Sequence, residues 1–234
     1  MKTLAIIPAR SGSKGLKDKN IIELYGRPLI DYTIKAALES GCMDKVMVST
    51  DSEKYAEISR ACGAEVPFLR SEATSADTAG SWDVVREVLD RYEERGEFFD
   101  YVCLLQVTSP LRSAEDIRNA FGMLQKDDVN TVISVSEADH PLSWYYKMDE
   151  SLSYSSRECV AKAVKRRQEG EKYYRTNGAI YLVDAAKIRD PQYVLTEDRC
   201  YGYLMPKYRS IDIDEAVDLI TAKSVLEAME KGLL

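Results

Sequence analysis

The chain alternates short apolar runs with longer amphipathic segments from its start to about Val135, and few folds accommodate this pattern. Runs rich in Val, Ile and Leu are typical of strands buried on both faces of a sheet. The segments between them carry apolar residues at helical spacing, and several end at a glycine, the usual residue after a helix. This pattern predicts an α/β fold in which a Rossmann-like open, mostly parallel sheet carries helices on both faces. The expected strands are residues 4–8, 45–49, 65–68, 101–106 and 131–135, and the expected helices are residues 28–40, 52–62, 81–95 and 114–124.

The alternation stops after about residue 136 and resumes near residue 179. The intervening stretch, residues 137–175, is rich in charge, Tyr and Ser, and aromatic side chains such as Trp144 are enriched in protein interfaces. We therefore expect one domain, residues 1–234, with 137–175 as an insertion that covers a site or a partner subunit. Strands at 179–183 and 201–205 and a helix at 215–231 complete the predicted domain.

Composition argues against several classes of partner. The chain has 32 Lys and Arg against 39 Asp and Glu, a formal net charge of −7, whereas a nucleic-acid binder usually presents a broad basic face. Its five cysteines include no closely spaced pair, which predicts a reducing, cytoplasmic setting. The apolar stretch 3–9 is too short for a signal peptide or a membrane span, so no membrane partner is expected. Because His140 is the only histidine, the expected chemistry rests on carboxylates, Lys, Arg and backbone amides.

The segment after the first expected strand, residues 8–20, concentrates positive charge in an otherwise acidic protein. Ligands of open α/β sheets bind beyond the carboxyl ends of the strands, where this segment begins. Gly12 and Gly15 permit tight turns and close approach of the backbone to a ligand. These features predict a polyphosphate site, with a solvated polar loop as the alternative, although the spacing fits neither a P-loop nor a dinucleotide fingerprint. The cations are Arg10, Lys14, Lys17 and Lys19.

Two aspartates near the C-terminus form a second candidate site. Asp212 and Asp214 alternate with isoleucines, so on a strand both carboxylates would face the same side. Carboxylates together with phosphate oxygens are the ligands that Mg²⁺ prefers. Asp214 also precedes the expected helix at 215–231 and could cap it, so the residues alone leave both interpretations open.

Several stretches match the motifs of a known family in order along the chain. Residues 7–15 are followed by Lys19 and Asn20, and residues 105–112 run Leu-Gln-Val-Thr-Ser-Pro-Leu-Arg. Shorter stretches are Ser49-Thr50-Asp51, Asn177-Gly178-Ala179-Ile180-Tyr181 and Ile211-Asp212-Ile213-Asp214. Together they resemble the acylneuraminate cytidylyltransferases, also called CMP-sialic acid synthetases, from residue 4 to about residue 220.

The resemblance implies an enzyme that joins CTP to a nine-carbon 2-keto acid sugar, giving a CMP-sugar and pyrophosphate with Mg²⁺, or with Mn²⁺ in its place. It also implies a homodimer in which one subunit's insertion closes over the other's sugar site. Two alternatives stay open. One is the same reaction on another nonulosonic acid, such as legionaminic, pseudaminic or a Kdo-like acid. The other is a non-catalytic nucleotide or sugar sensor, against which the presence of both aspartates argues.

The resemblance also implies roles for individual residues. Arg and Lys can both stabilise the negative charge that builds on a departing pyrophosphate. Arg offers parallel hydrogen-bond donors to phosphate oxygens, and Lys offers a mobile positive charge. The catalytic residues implied are Arg10, Lys19, Asp212 and Asp214, of which the two aspartates hold the metal. The implied nucleotide-binding residues are Arg10, Ser13, Lys14, Lys19, Asn20 and Ser81. The implied sugar-binding residues are Arg70, Gln106, Arg167 and Arg175.

Two departures from the family pattern lie near the expected sugar site. Glu169-Gly170-Glu171 replaces a Pro-containing stretch expected after Arg167-Gln168, and Val107 replaces a frequent Pro. The run Lys165-Arg166-Arg167, taken alone, is also typical of a charged surface. The substituents of the sugar therefore stay open.

Overall fold

A computed structural model describes residues 1–12, 15–125, 129–153, 157–159, 171–196 and 199–234. Its main sheet has six strands in the order β10-β6-β9-β5-β1-β4, and β9 is antiparallel to both of its neighbours while the other pairs are parallel. The expected open, mostly parallel α/β sheet is thus confirmed. The strands of this sheet are β1 (Thr3–Pro8), β4 (Lys45–Ser49), β5 (Tyr101–Leu104), β6 (Thr131–Glu137), β9 (Tyr174–Asp184) and β10 (Cys200–Leu204).

Alternate side chains of each strand point to opposite faces of the sheet, and each face is covered by helices. On one face, Ala5 and Ile7 of β1 pack in a cluster with α1, α5 and α7. On the other face, Leu4 and Ile6 pack with α4 and α6. The helices are α1 (Leu29–Ser40), α2 (Glu53–Ala61), α3 (Glu72–Ser75), α4 (Ser81–Glu93), α5 (Ala114–Met123), α6 (Ala185–Ile188) and α7 (Ala216–Glu230).

Four further strands are short and form two separate ribbons. β2 (Glu23–Leu24) pairs with β3 (Arg27–Pro28), and β7 (Tyr146–Lys147) pairs with β8 (Glu158–Cys159). The second ribbon lies inside the stretch 137–175. Within the described ranges, no helix has the length and apolar character needed to cross a bilayer.

One predicted strand is wrong, and another is much longer than predicted. Residues 65–68 form only an isolated bridge between Glu65 and Met47, because Pro67 has no N–H to continue the ladder. The strand expected at 179–183 begins at Tyr174 and ends at Asp184. It contains a bulge in which residues 177–180 lie opposite Ser134 alone. Bulges of this kind redirect side chains beside functional sites.

Candidate active site

A cavity of about 660 Å³ opens at the carboxyl ends of β1 and β5, the edge at which parallel sheets bind ligands. Four segments line the cavity: the loop after β1, the segment that leads into α4, the segment that follows β5 and the segment before α7. Predicted site residues from all of these segments line the cavity: Arg10, Lys19, Asn20, Arg70, Ser81, Gln106, Asp212 and Asp214.

The loop after β1 is shaped by hydrogen bonds to its neighbours. Asp51 accepts hydrogen bonds from the Ser11 amide (2.7 Å) and the Ser11 hydroxyl (2.8 Å), and the Asn20 side-chain amide donates to the Arg10 carbonyl (3.0 Å). At Gly15, a Cβ atom would lie 2.9 Å from the backbone oxygen of Asp214, so this position requires glycine. The loop after β1 therefore lies directly against the segment with the two aspartates. Ser13 and Lys14, also predicted here, lie outside the described residues.

Two cations of the cavity are paired with carboxylates. The Arg10 guanidinium lies 2.6 Å from Asp77, and the Lys19 ammonium lies 2.8 Å from Asp214. Arg10 and Lys19 are partly buried, but both carboxylates are well exposed, so water screens the two ion pairs. A polyphosphate carries several charges and can compete for both cations.

The segment with the two aspartates is not a strand, so the condition under which alternation would align both carboxylates is not met. It is held outside the sheet by a hydrogen bond from the Ile213 amide to the Thr108 carbonyl (2.8 Å). Ile213 is nevertheless fully buried, while both aspartates line the cavity, so the carboxylates share one side by a different route.

Asp214 does not cap α7. Glu215 occupies the N-cap position, and the Asp218 carboxylate accepts hydrogen bonds from the amides of Asp214 (3.0 Å) and Glu215 (2.8 Å). The Asp214 side chain is instead 70% exposed and bonded to Lys19. This arrangement removes the capping interpretation of Asp214.

Asp212 is the more buried of the two carboxyl groups. Burial raises its pKa, the charge of Asp214 adds to this effect, and a hydrogen bond with the Thr108 side chain opposes it. Its Oδ1 atom is buried and has no hydrogen-bond partner among the described residues. A buried carboxylate oxygen without a donor beside a second carboxylate suits a divalent cation. No group of three or more His, Cys, Asp or Glu side chains suited to a metal occurs among the described residues, so phosphate oxygens and water would complete the coordination.

The predicted sugar residues fall into three groups. Arg70 lines the cavity, where its guanidinium donates to the Ser49 hydroxyl (3.1 Å) and carbonyl (2.7 Å), and burial lowers its pKa to about 10. Gln106 lines the same cavity. Arg175 instead lines an adjoining cavity of about 300 Å³, which shares Asp212 with the first. Arg167 lies outside the described residues.

Sequence reasoning assigned no role to the residues that hold the site together, although Asp51 and Thr108 stand in the matched motifs. Asp51 and Asp77 contact the loop after β1 across 40 and 67 positions of sequence, and Thr108 contacts the aspartate segment from the turn after β5. Asp51 follows directly after β4, and this position at the end of a parallel strand was the available signal.

Comparisons with known proteins agree with the geometry. The family profile described as "Cytidylyltransferase" matches residues 4–205. The N-acylneuraminate cytidylyltransferase of Streptococcus agalactiae serotype V is 42% identical over 94% of this chain, which spans only 52% of that protein's length. The CMP-N,N'-diacetyllegionaminic acid synthase of Legionella pneumophila is 36% identical, and the match covers 100% of both chains. A solved CMP:2-keto-3-deoxy-manno-octonic acid synthetase complexed with CTP has the same fold, with a TM-score of 0.72 at 19% identity over 98% of this chain and 100% of its own.

Proposed function

Since the chain belongs to the cytidylyltransferase family, we propose that it transfers CMP from CTP to the anomeric 2-hydroxyl of an acylneuraminate and releases pyrophosphate. One observation carries the proposal. A single cavity brings together two cations suited to a triphosphate, two carboxylates suited to a divalent cation, and Arg70 and Gln106 suited to an acid sugar.

Arg10 and Lys19 act on the leaving group in this proposal. The anomeric hydroxyl loses its proton to water as its oxygen attacks the α-phosphorus. The bond from the α-phosphorus to the oxygen that bridges to the β-phosphate breaks, and this leaves additional negative charge on pyrophosphate. Arg10 can offer two parallel donors to phosphate oxygens, and Lys19 adds a point charge. Each must first exchange its present carboxylate partner, Asp77 or Asp214, for the phosphates.

Asp212 and Asp214 would hold a divalent cation, which we propose to be Mg²⁺ with Mn²⁺ as a substitute. Such an ion neutralises triphosphate charge and lowers the pKa of a bound hydroxyl. Asn20 and Ser81 are proposed to contact the nucleoside. Arg70, Gln106, Arg167 and Arg175 are proposed to recognise the sugar and its carboxylate, for which a bidentate guanidinium contact is well suited.

A second candidate substrate is a diacetylated legionaminic acid. The observation that favours it is the similarity to the Legionella relative, which is 36% identical over 100% of this chain. Both candidates are nonulosonic acids and require the same transfer. Val107 and residues 169–171, which depart from the family pattern, are the expected source of any difference.

Pyrophosphate release tests the proposed activity directly. We expect release from CTP only when both an acid sugar and a divalent cation are supplied, and we expect a chelator to abolish it. Release without any sugar would indicate a hydrolase, and no release with any acid sugar would overturn the transferase assignment.

We also propose that residues 1–234 form one nucleotidyltransferase domain that dimerises through the stretch 137–175. Exposed aromatic and apolar side chains of this stretch support the proposal: Trp144 is 53% exposed, and the adjacent Tyr145 and the more distant Leu152 are also exposed. The His140 ring stacks on Trp144 with centroids 5.4 Å apart. Free cysteines, among them the buried Cys103, support the proposed reducing cytoplasm.

Sedimentation tests the dimer. We expect a dimer at micromolar concentration and a shift to monomer in Trp144→Asp, because a buried unpaired charge opposes association. The matched control is Phe98→Asp. Phe98 is also an exposed aromatic residue (62%), but it precedes the amino end of β5, whereas the stretch 137–175 follows the carboxyl end of β6, which runs in the same direction, so this variant should stay dimeric. A wild-type monomer, or equal dissociation in both variants, would contradict the proposal.

A further inference from the structure

Arg112 is a buried arginine for which the reaction described above has no use. Its side chain is 2% exposed, and burial lowers its pKa to about 10. Buried arginines are normally paired with a carboxylate. Among the described residues none forms an ion pair with Arg112, and Asp116 one turn further along is bonded to Arg209 instead (2.9 Å). The role of the buried Arg112 guanidinium must therefore lie in its hydrogen bonds and not in an ion pair.

The hydrogen bonds of Arg112 join two segments of the cavity edge. Its Nη2 atom donates to the Gln106 carbonyl (2.6 Å), and its Nε atom donates to the Ala179 carbonyl (2.7 Å). Ala179 lies in the bulge of β9, where the regular ladder with β6 is interrupted. Arg112 thus supplies a donor to the bulge and ties it to the turn after β5.

Two further contacts close the same junction. The Ser109 hydroxyl donates to the Asn177 carbonyl (3.0 Å). Gly178 adopts φ +74°, and a Cβ atom there would overlap with Oε1 of Gln106. The Gln106 side chain therefore lies in contact with the backbone of the bulge. The orientation of Gln106 is therefore set by residues 177–179 and by Arg112.

We propose that Arg112 is a positioning residue for the acceptor sugar: it locks the turn after β5 onto the β9 bulge and so fixes the direction in which Gln106 meets the substrate. This inference rests on the proposed transferase function. Arg112 itself is buried and does not line the cavity.

The guanidinium is suited to this position because its planar fork reaches two carbonyls at once, which an ammonium group cannot do in the same geometry. Loss of the fork leaves buried carbonyls without a donor, and the turn must shift to satisfy them. Nucleotide binding is measured without a divalent cation, because Thr108 in the same turn holds the aspartate segment proposed to bind that cation. Binding of CTP alone should be little affected, because Arg10, Lys19, Asn20 and Ser81 lie on other segments that Arg112 does not contact.

The test is Arg112→Lys, measured in two ways. With CTP saturating, we expect the KM for the acid sugar to rise about tenfold or more, since small displacements of a positioning group have large effects on reaction geometry. The Kd for CTP, measured by calorimetry without sugar, should change by less than about twofold. The control is Arg118→Lys on α5, whose guanidinium bonds the exposed Glu39 carbonyl, and it should leave both values unchanged.

Ser109→Ala provides a milder change at the same junction if Arg112→Lys does not fold. It should raise the sugar KM about threefold without changing the CTP Kd, because it removes one neutral hydrogen bond. An unchanged sugar KM in a folded variant, or an equal change in sugar KM and CTP Kd, overturns the positioning role. A wild-type protein that uses no acid sugar is a different result, because it overturns the proposed function itself and the inference with it.

Discussion

Asp214→Asn should lower turnover by about 100-fold or more, equivalent to at least about 2.7 kcal/mol of lost transition-state stabilisation. The amide keeps the size of the side chain but lacks the charge that holds a divalent cation against its own hydration. The melting temperature should hardly change, because Asp214 is 70% exposed and Glu215 occupies the cap of α7. Raising Mg²⁺ should recover part of the activity.

A matched control separates the metal role of Asp214 from loss of its ion pair. Asp90 is 62% exposed and lies 2.8 Å from Arg189, the same length as the pair of Asp214 and Lys19, but Asp90 lies on α4 and does not line the cavity. Arg189 also pairs with Glu93, so the control tests loss of an exposed carboxylate from an ion pair. Asp90→Asn should therefore keep normal turnover with the same small effect on stability. Near-normal turnover of Asp214→Asn at limiting Mg²⁺ would show that Asp214 is not a metal ligand.

Lys19→Met should have an effect of similar size on kcat. The side chain of Lys19 is only 16% exposed, so its charge acts from a partly desolvated position, and removal of one preorganised charge-stabilising donor typically costs about 100-fold or more. We expect kcat to fall more than the KM for the sugar rises, because the developing charge is on pyrophosphate.

Lys17→Met is the control for Lys19→Met, because Lys17 belongs to the same loop but is exposed and does not line the cavity. Its kcat should stay within about twofold of wild type. A kcat for Lys19→Met that stays close to that of the control would exclude Lys19 from the chemistry of the leaving group.

The sheet was predictable because its strands are buried on both faces and therefore appear in sequence as apolar runs. The direction and length of β9 were not predictable. An apolar run does not show whether the strand is parallel to its neighbours, and the bulge at residues 177–180 interrupts the apolar pattern. Residues 65–68 do not form a strand although the run is apolar, because Pro67 cannot donate a hydrogen bond to the neighbouring strand.

The candidate site shows the same division between local and non-local information. The cations of the first loop and the two aspartates carry their chemistry in the sequence itself. The pairing of these side chains is not visible in the sequence. Arg10 meets Asp77, and Lys19 meets Asp214, only after distant segments fold together. Asp212 and Asp214 line one cavity although they lie on a tethered segment and not on a strand, so the alternation with isoleucines did not reveal how the chain places them. The role of Arg112 depends on two backbone carbonyls, which no residue pattern reveals.

The measurement that tests the central claim most directly is identification of products by mass spectrometry. CTP, ATP, GTP and UTP would each be incubated with Mg²⁺ and with N-acetylneuraminic, legionaminic, pseudaminic and Kdo acids in turn. We predict a CMP-sugar and an equal amount of pyrophosphate from CTP with an acylneuraminate or a legionaminic acid, and little product from the other nucleotides. Equal product from ATP, or no nucleotide sugar from any combination, would contradict the account.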